Sequence, residues 1–178
     1  MSERASKTRY ITHIALYLAL AVLLPIGFHA FGLLGRVFLP MHIPVLLAGF
    51  LLGPVGGLVV GLLAPGISFL LTGMPPTYAV PLMTLELSIY GLIAGMTYGK
   101  LKLNIYISLL IAMVLGRLMF ALGLLVLGMF MKLPYTAAAF FSSSGAVVAG
   151  IPGIIVQIVL IPVIVAALKR PRTVKLTP

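Results

Sequence analysis

The stretch of sequence that decides the fold reads Tyr78-Ala-Val-Pro-Leu-Met-Thr-Leu-Glu-Leu-Ser-Ile-Tyr-Gly-Leu-Ile-Ala-Gly-Met-Thr-Tyr98. It is apolar enough to cross a membrane, yet it contains Glu86, the only side-chain carboxylate after residue 3. A second apolar stretch, residues 105–131, carries a single charge, Arg117. Charged side chains at membrane depth are costly, so they usually face a partner or a cavity rather than lipid. The two charges therefore predict a polar site inside a helical bundle.

The composition is that of an integral membrane protein. Hydrophobic residues make up 62% of the 178 residues, charged residues make up 8%, and the mean hydropathy is +1.25. A soluble domain could not bury that much apolar surface. The net charge of +10 does not indicate nucleic-acid binding, because the basic residues cluster at the ends of the apolar stretches. The sequence has no cysteine, which excludes disulfides and thiolate chemistry.

The apolar stretches predict an all-α bundle of six transmembrane helices in a single domain, residues 1–178. The first helix is expected to be retained, because no small-residue cleavage site follows its apolar region. Gly53-Pro54 divides the second stretch into two short helices, since proline cannot continue a helix without losing a backbone hydrogen bond. The predicted helices span residues 10–31, 42–52, 55–71, 79–99, 104–131 and 146–168.

The distribution of lysine and arginine predicts that both termini are cytoplasmic. With six helices, nine basic residues lie on the cytoplasmic side and only Arg36 and Lys132 lie outside, with Arg117 within the membrane. This bias follows the positive-inside rule, whereas five helices would place the basic C-terminal tail outside. The longer loops, near residues 31–41, 72–78 and 132–145, then lie on the outer side. A binding pocket is expected there.

Glu86 and Arg117 are the central candidates for this pocket, although a buried structural ion pair that only orients helices is an equal alternative. Tyr90 follows Glu86 by one helical turn and shares its face. Phe120 follows Arg117 by three residues. A carboxylate, a guanidinium and aromatic surfaces would suit a polar, partly aromatic small molecule. The further pocket candidates are Arg36, His42, Met74, Tyr78 and Gln157.

Several of these candidates have a structural alternative, and no enzyme or metal motif accompanies them. His42 could be a satisfied interfacial histidine, and Gln157 could be an interhelical hydrogen-bonding group. His42 and His29 flank one loop, but zinc usually needs three or four ligands. The sequence lacks a Gly-x-Ser-x-Gly elbow, a His-Glu-x-x-His motif and a Gly-x-x-x-x-Gly-Lys-Ser/Thr phosphate loop. We therefore expect no cofactor, no metal and no catalysis by this chain.

Small residues recur at every fourth position in two of the predicted helical regions. Such spacing lets helices approach closely in lipid, which predicts packing inside the bundle. Ala15 and Ala19 repeat the spacing on the first helix, where a docking face for another membrane protein competes with internal packing. The glycines of the pattern are Gly49, Gly53, Gly57 and Gly61, followed by Gly91, Gly95 and Gly99.

Five sequence blocks, in order, resemble the substrate-binding S components of energy-coupling factor (ECF) transporters, over about residues 10–168. The resemblance implies a six-helix protein of the prokaryotic cytoplasmic membrane that binds a vitamin from the extracellular side. It also implies a membrane T component, contacted through Ala15 and Ala19, and two ATPases that supply the energy. The blocks are Met41-His-Ile-Pro-Val-Leu-Leu-Ala-Gly-Phe50, Thr72-Gly-Met-Pro-Pro76, Leu85-Glu-Leu-Ser-Ile-Tyr-Gly91, Ala112-Met-Val-Leu-Gly-Arg117 and Gly150-Ile-Pro-Gly-Ile-Ile-Val-Gln157.

Within this family the blocks look closest to the branch associated with pantothenate or with no assigned substrate. The stretch Leu39-Pro-Met-His-Ile-Pro44 lacks the acidic residues typical of the riboflavin branch, so riboflavin or another B vitamin ranks second. Pantothenate carries a carboxylate, which Arg117 or Arg36 would bind through a bidentate guanidinium. The alternative class is a stand-alone secondary transporter or small channel, for which one intramembrane acid offers little means of ion coupling.

Overall fold

The computed structural model describes residues 3–29, 37–134, 136 and 146–169, and within these ranges the secondary structure is entirely helical. A π-helical segment, Met96–Lys100, continues the fourth helix towards its C-terminal end. The helices, numbered in chain order, are α1 (Glu3–His29), α2 (His42–Leu52), α3 (Pro54–Thr72), α4 (Ala79–Gly95), α5 (Ile105–Phe130), the single turn α6 (Ala146–Ala149) and α7 (Ile151–Lys169).

Five helical segments are long and apolar enough to cross a membrane, and α2 is apolar but has only 11 residues. The all-α, membrane-embedded fold class expected from composition is therefore confirmed. The count of six crossings and the cytoplasmic side of the termini stay predictions. The five long segments are Ser6–Phe28, Pro54–Thr72, Ala79–Lys100, Ile105–Phe130 and Ile151–Lys169.

The corner between α2 and α3 is a single residue, Gly53. Its backbone angles, φ 86° and ψ −176°, lie in a region that is essentially restricted to glycine. Pro54 then occupies the first position of α3, where its missing N–H costs no helical hydrogen bond. The helix break that the sequence predicts at Gly53-Pro54 is thus present, with glycine making the turn and proline starting the next helix.

Helix α2 lies at the centre of the bundle. Its first nine residues, from His42 to Phe50, are all buried, and it contacts α1, α3, α4 and α7. Helix α4 packs between α3 and α5. The main apolar cluster joins Leu46 of α2 to Val60 of α3, Leu87 of α4 and Ile161 of α7. The short helix is therefore the core around which the longer helices pack.

The contact between α3 and α4 is made by glycine backbones. A Cβ atom at Gly57 would overlap the carbonyl of Gly91, and a Cβ atom at Gly91 would overlap the backbone of Gly57. One turn further along α3, a Cβ atom at Gly61 would overlap the carbonyl of Leu87. We call this contact the glycine seam. It shows why small residues are required there, because no larger side chain leaves room for the opposing backbone.

Close packing was predicted for the glycines that recur at every fourth position, and this prediction is only partly confirmed. Gly49 and Gly95 also meet opposing backbone, of Gly91 and Pro54 respectively, so they pack as expected alongside the seam. The prediction is wrong for Gly99, which has no atom within 4 Å of its Cβ position. Gly53 also has open space at its Cβ position, but its backbone packs against Gly95, where a Cβ atom would lie 2.5 Å from the carbonyl carbon of Gly53. The backbone angles of Gly53 are a further requirement for glycine, which the spacing of glycines along the sequence does not reveal.

Contacts at the helix ends define two ends of the bundle. At one end the Nζ of Lys169 lies 4.2 Å from the ring centre of Tyr98, and the Tyr98 and Phe50 rings are 5.3 Å apart. Tyr10 of α1 lies against Gly56 at the same end. We call it the inner end, after the cytoplasmic side that the sequence predicts for it. The outer end holds the 73–78 connection and the contact between the rings of Phe28 and Phe38, 5.8 Å apart.

Candidate functional site

The two intramembrane charges form a buried ion pair between α4 and α5. The Nη1 atom of Arg117 lies 2.8 Å from the Oε1 atom of Glu86, and the residues are 9% and 1% exposed. The N–H directions do not align for a hydrogen bond to Oε1, so the contact is mainly electrostatic. The Nε2 atom of His42 in α2 lies 3.6 Å from the same oxygen. Three helices thus contribute to one polar group of side chains.

Tyr90 completes this group on the face of α4 that also carries Glu86. Its ring meets the His42 ring edge-on, with centroids 5.1 Å apart and an interplanar angle of 83°. Its hydroxyl is hydrogen-bonded with the guanidinium of Arg117. We call His42, Glu86, Tyr90 and Arg117 the polar cluster. The structure therefore brings four of the sequence-predicted site residues together.

Gly116 is a residue of this site that sequence reasoning missed. A Cβ atom there would lie 2.6 Å from two carbons of the Tyr90 ring, so only glycine lets the ring pack against α5. The available signal was a glycine directly before the one arginine of an apolar helix. Its spacing does not belong to the fourfold glycine pattern, so the pattern did not mark it.

The polar cluster lies nearer to the outer end than to the inner end. His42 is the first residue of α2, and Glu86 comes seven residues after the start of α4 at Ala79. At about 1.5 Å per residue, Glu86 lies about 10 Å below the outer end of α4. This depth is suited to the floor of a pocket that opens outwards.

Gln157 of α7 lies at a similar depth. It is 1% exposed and belongs to the buried stripe of α7 with Gly153 and Ile161. A Cβ atom at Gly153 would lie 2.6 Å from the carbonyl oxygen of Val37, just before α2 in the chain. Because α7 and α2 both run from the outer to the inner end, the next turn of α7 places Gln157 near the level of His42.

Two neutral side chains at this depth keep unused hydrogen-bonding capacity. Both ring nitrogens of His42 and the side-chain nitrogen of Gln157 lack a hydrogen-bond partner among the described residues. Leaving a buried polar atom without a partner costs about 1–3 kcal/mol. This cost is relieved when a ligand supplies the missing bonds. The buried hydroxyl oxygens of Ser88 and Ser108 also lack a partner among the described residues, but neither belongs to the polar cluster.

Two other predicted site residues lie on the connection between α3 and α4. Met74 is 37% exposed, and Tyr78 is partly buried. The buried hydroxyl of Ser68 donates to the carbonyl of Met74 over 2.9 Å, and Gly73 ends α3 with a positive φ of 71°. The Met74-Pro75 peptide bond is cis. The connection is thus tied to the end of α3, above the polar cluster.

Phe120 has a different environment from the polar cluster. It is 5% exposed and packs in a separate apolar cluster with Leu82 and Leu124 near the outer half of α5. An open groove of about 680 Å³ lies further along α5, lined in part by Phe130 and Lys132. Its lining includes none of the residues of the polar cluster, so this groove is not the pocket that the charges predict.

The remaining predictions fall on the surface or outside the described residues. Arg36 lies outside the described residues. Ala15 and Ala19 are exposed on α1, so they do not serve internal packing in this chain. Within the described ranges, no three histidine, aspartate or glutamate side chains come together in a way that could hold a metal ion. Ligand and partner binding by the named residues stays a prediction.

The fold and the cluster define a class of protein, a multi-pass helical membrane protein with a buried polar site beneath one face. The family model for the substrate-specific component of ECF transporters matches residues 9–165. The chain belongs to this family, and the resemblance seen in its sequence blocks is confirmed. The family's members are transporter subunits that bind substrate and are not enzymes. No curated protein and no solved structure matches the chain.

Proposed function

We propose that this protein captures a vitamin or a related small molecule at the outer end of the bundle, in the cytoplasmic membrane of a prokaryote. A membrane T component and two ATPases would complete the importer, since the sequence has no phosphate loop of its own. The observation that carries the proposal is the polar cluster itself, buried about 10 Å below the outer end of a family member. Polar groups placed at membrane depth usually mark a substrate pathway.

The predicted site residues have different roles in this proposal. His42 and Gln157 offer hydrogen bonds to the substrate, because their nitrogens lack partners among the described residues. Tyr90 supports the His42 ring from the side. Glu86 and Arg117 hold α4 and α5 together beneath the pocket. Met74, Tyr78 and Phe120, nearer the outer end, would line its upper walls.

Pantothenate is the first substrate candidate, followed by riboflavin or another B vitamin. The ion pair with Glu86 compensates the charge of Arg117, which argues against Arg117 as the anchor of a substrate carboxylate. Arg36 remains the other candidate for that role. If Arg117 did anchor the carboxylate, Arg117→Ala would remove binding, whereas unchanged binding would exclude the anchor role.

Helix α1 is proposed to dock against the T component. Ala15 and Ala19 lie one turn apart and are both exposed, which leaves a shallow strip where another helix could approach closely. The neighbouring exposed side chains of Ile11 and Leu16 would contribute apolar contact area on either side. The two alanines are thus available for a partner rather than used within the bundle.

The proposed function is tested by purifying the protein in detergent after growth in rich medium and identifying bound small molecules by mass spectrometry. A vitamin bound in equimolar amount would name the substrate directly. Ser108→Ala is a matched control, because Ser108 is a fully buried polar residue of α5 outside the polar cluster. A protein without bound compound, and without thermal stabilisation by a panel of B vitamins, would instead favour a stand-alone transporter or channel.

A further inference from the structure

The charges inside the bundle cancel each other, which restricts the chemistry of the substrate. Glu86 and Arg117 are paired at 2.8 Å, and the chain has no other acid beyond Glu3. A charged group of the substrate would therefore have to compete with one partner of an existing buried pair. Separating such a pair is strongly unfavourable, because it leaves an uncompensated charge in a medium of low polarity. The pair thus disfavours a charged group at this depth.

The hydrogen-bonding capacity that remains in the site belongs to side chains outside the ion pair. The side-chain nitrogen of Gln157 is a hydrogen-bond donor, and a neutral imidazole has one nitrogen that accepts. These nitrogens lack hydrogen-bond partners among the described residues, and the residues Gln157 and His42 are 1% and 2% exposed. A site that offers one donor and one acceptor at a similar depth is complementary to a carbonyl group next to an N–H group.

We propose that the floor of the pocket binds an uncharged amide-type group of the substrate, in which a carbonyl oxygen accepts from Gln157 and the neighbouring N–H donates to His42. This inference rests on the proposed function and adds the class of group that the site recognises. Linear amides and the imide edges of fused heterocycles both belong to this class. Any carboxylate of the substrate points towards the outer end, away from the ion pair.

Tyr90 is a positioning residue in this arrangement. Its ring lies edge-on to His42 and against Gly116, so both sides of the ring are fixed by packing. A fixed Tyr90 in turn limits rotation of the His42 ring and keeps its accepting nitrogen at one place. The site is therefore organised before the substrate arrives, which lowers the entropy lost on binding.

The test uses variants of Gln157, and binding is measured by titration with the compound found in the wild-type protein or, if mass spectrometry finds none, with pantothenate and riboflavin. Gln157→Leu keeps the approximate size of the side chain and removes the donor, so it should weaken binding at least tenfold. Gln157→Glu adds a charge and should weaken binding at least a hundredfold. Ser108→Ala, the control on α5, should leave binding unchanged.

The two proposals fail in different ways. Unchanged binding by Gln157→Leu would overturn the amide inference while leaving the proposed function intact. A wild-type protein that binds neither a co-purified compound nor either vitamin would overturn the proposed function, and the amide inference with it.

Discussion

The two faces of α4 show opposite solutions to burial inside a membrane protein. On the face towards α3, the glycine seam brings backbones into direct contact. On the face towards α5, Glu86 and Tyr90 bury charge and hydroxyl groups, and each comes one residue before a residue of the seam, Leu87 and Gly91 respectively. Close backbone packing stabilises helix association in lipid, whereas buried polar groups add cost unless they are fully paired.

This difference separates residues that stabilise the fold from residues that we propose bind the substrate. The glycine seam is complete without any partner, because each backbone already meets the other. The polar cluster and Gln157, which lies at a similar depth, are incomplete, since the ring nitrogens of His42 and the side-chain nitrogen of Gln157 lack hydrogen-bond partners among the described residues. Substitutions on the two faces should therefore change stability and binding in different combinations, and four experiments examine that contrast.

The largest effect on stability is expected from breaking the ion pair on one side only. Glu86→Gln or Arg117→Gln alone leaves an uncompensated buried charge, which should lower the free energy of unfolding by about 3–5 kcal/mol. The double variant should recover most of that loss. Denaturant unfolding in detergent micelles measures all three. If the double variant were as unstable as the worse single variant, the pair would not be the source of the effect.

The second largest effect on stability is expected from substitutions in the glycine seam. Gly61→Ala places a methyl group against the carbonyl of Leu87 and should cost about 1–3 kcal/mol through overpacking. Gly66→Ala is the matched control on the same helix, because nothing lies within 4 Å of its Cβ position. Alanine favours a helix over glycine by about 1 kcal/mol, so the control should be neutral or stabilising. Equal destabilisation of both variants would contradict the seam as described.

Gln157→Leu should separate stability from binding. Removing a buried nitrogen that has no partner is expected to raise the free energy of unfolding by about 1 kcal/mol, while the same change weakens substrate binding. Thermal unfolding without substrate and titration with substrate give the two quantities on one sample. A loss of stability would show that the amide is already satisfied in the unliganded protein, which the inference about the pocket floor does not allow.

The smallest effect on stability is expected on the exposed face of α1. Ala15→Leu should change the free energy of unfolding by less than about 0.5 kcal/mol, as at most surface positions. It should nevertheless abolish co-purification with a T component, because the added side chain prevents close helix approach. Leu23→Phe, an exposed position two turns further along, is the control and should keep the partner.

Much of the fold could be predicted from hydropathy and from the helix-breaking residues, because both are local properties. The boundaries of α2, from His42 to Leu52, coincide with the prediction, and α3 begins one residue before the predicted start. The N-terminal part of α1 extends back to Glu3 because a helix can continue outside the apolar region. Helix α7 begins at Ile151 rather than at residue 146, since a separate turn precedes Gly150.

The site could be predicted only in part, because helix rotation is not encoded locally. Because burying a lone charge is costly, the sequence alone predicted that Glu86 and Arg117 lie together. The spacing of four residues along one helix predicted that Tyr90 shares the face of Glu86. Neither argument could place Phe120 in a separate apolar cluster or show that Gly116 supports the Tyr90 ring. These contacts depend on how α4 and α5 rotate against each other, which only the packed structure specifies.

The length of α2 has a consequence for how the protein enters the membrane during synthesis. Eleven residues rise about 16 Å, roughly half the thickness of the hydrocarbon layer, so α2 is too short to be recognised as an independent crossing. The single residue Gly53 joins α2 directly to α3, so there is no linker that would let α2 stay outside the membrane while α3 inserts. We therefore expect α2 and α3 to leave the translocon together as one hairpin. The short and buried α2 would then enter the membrane because it is joined to α3.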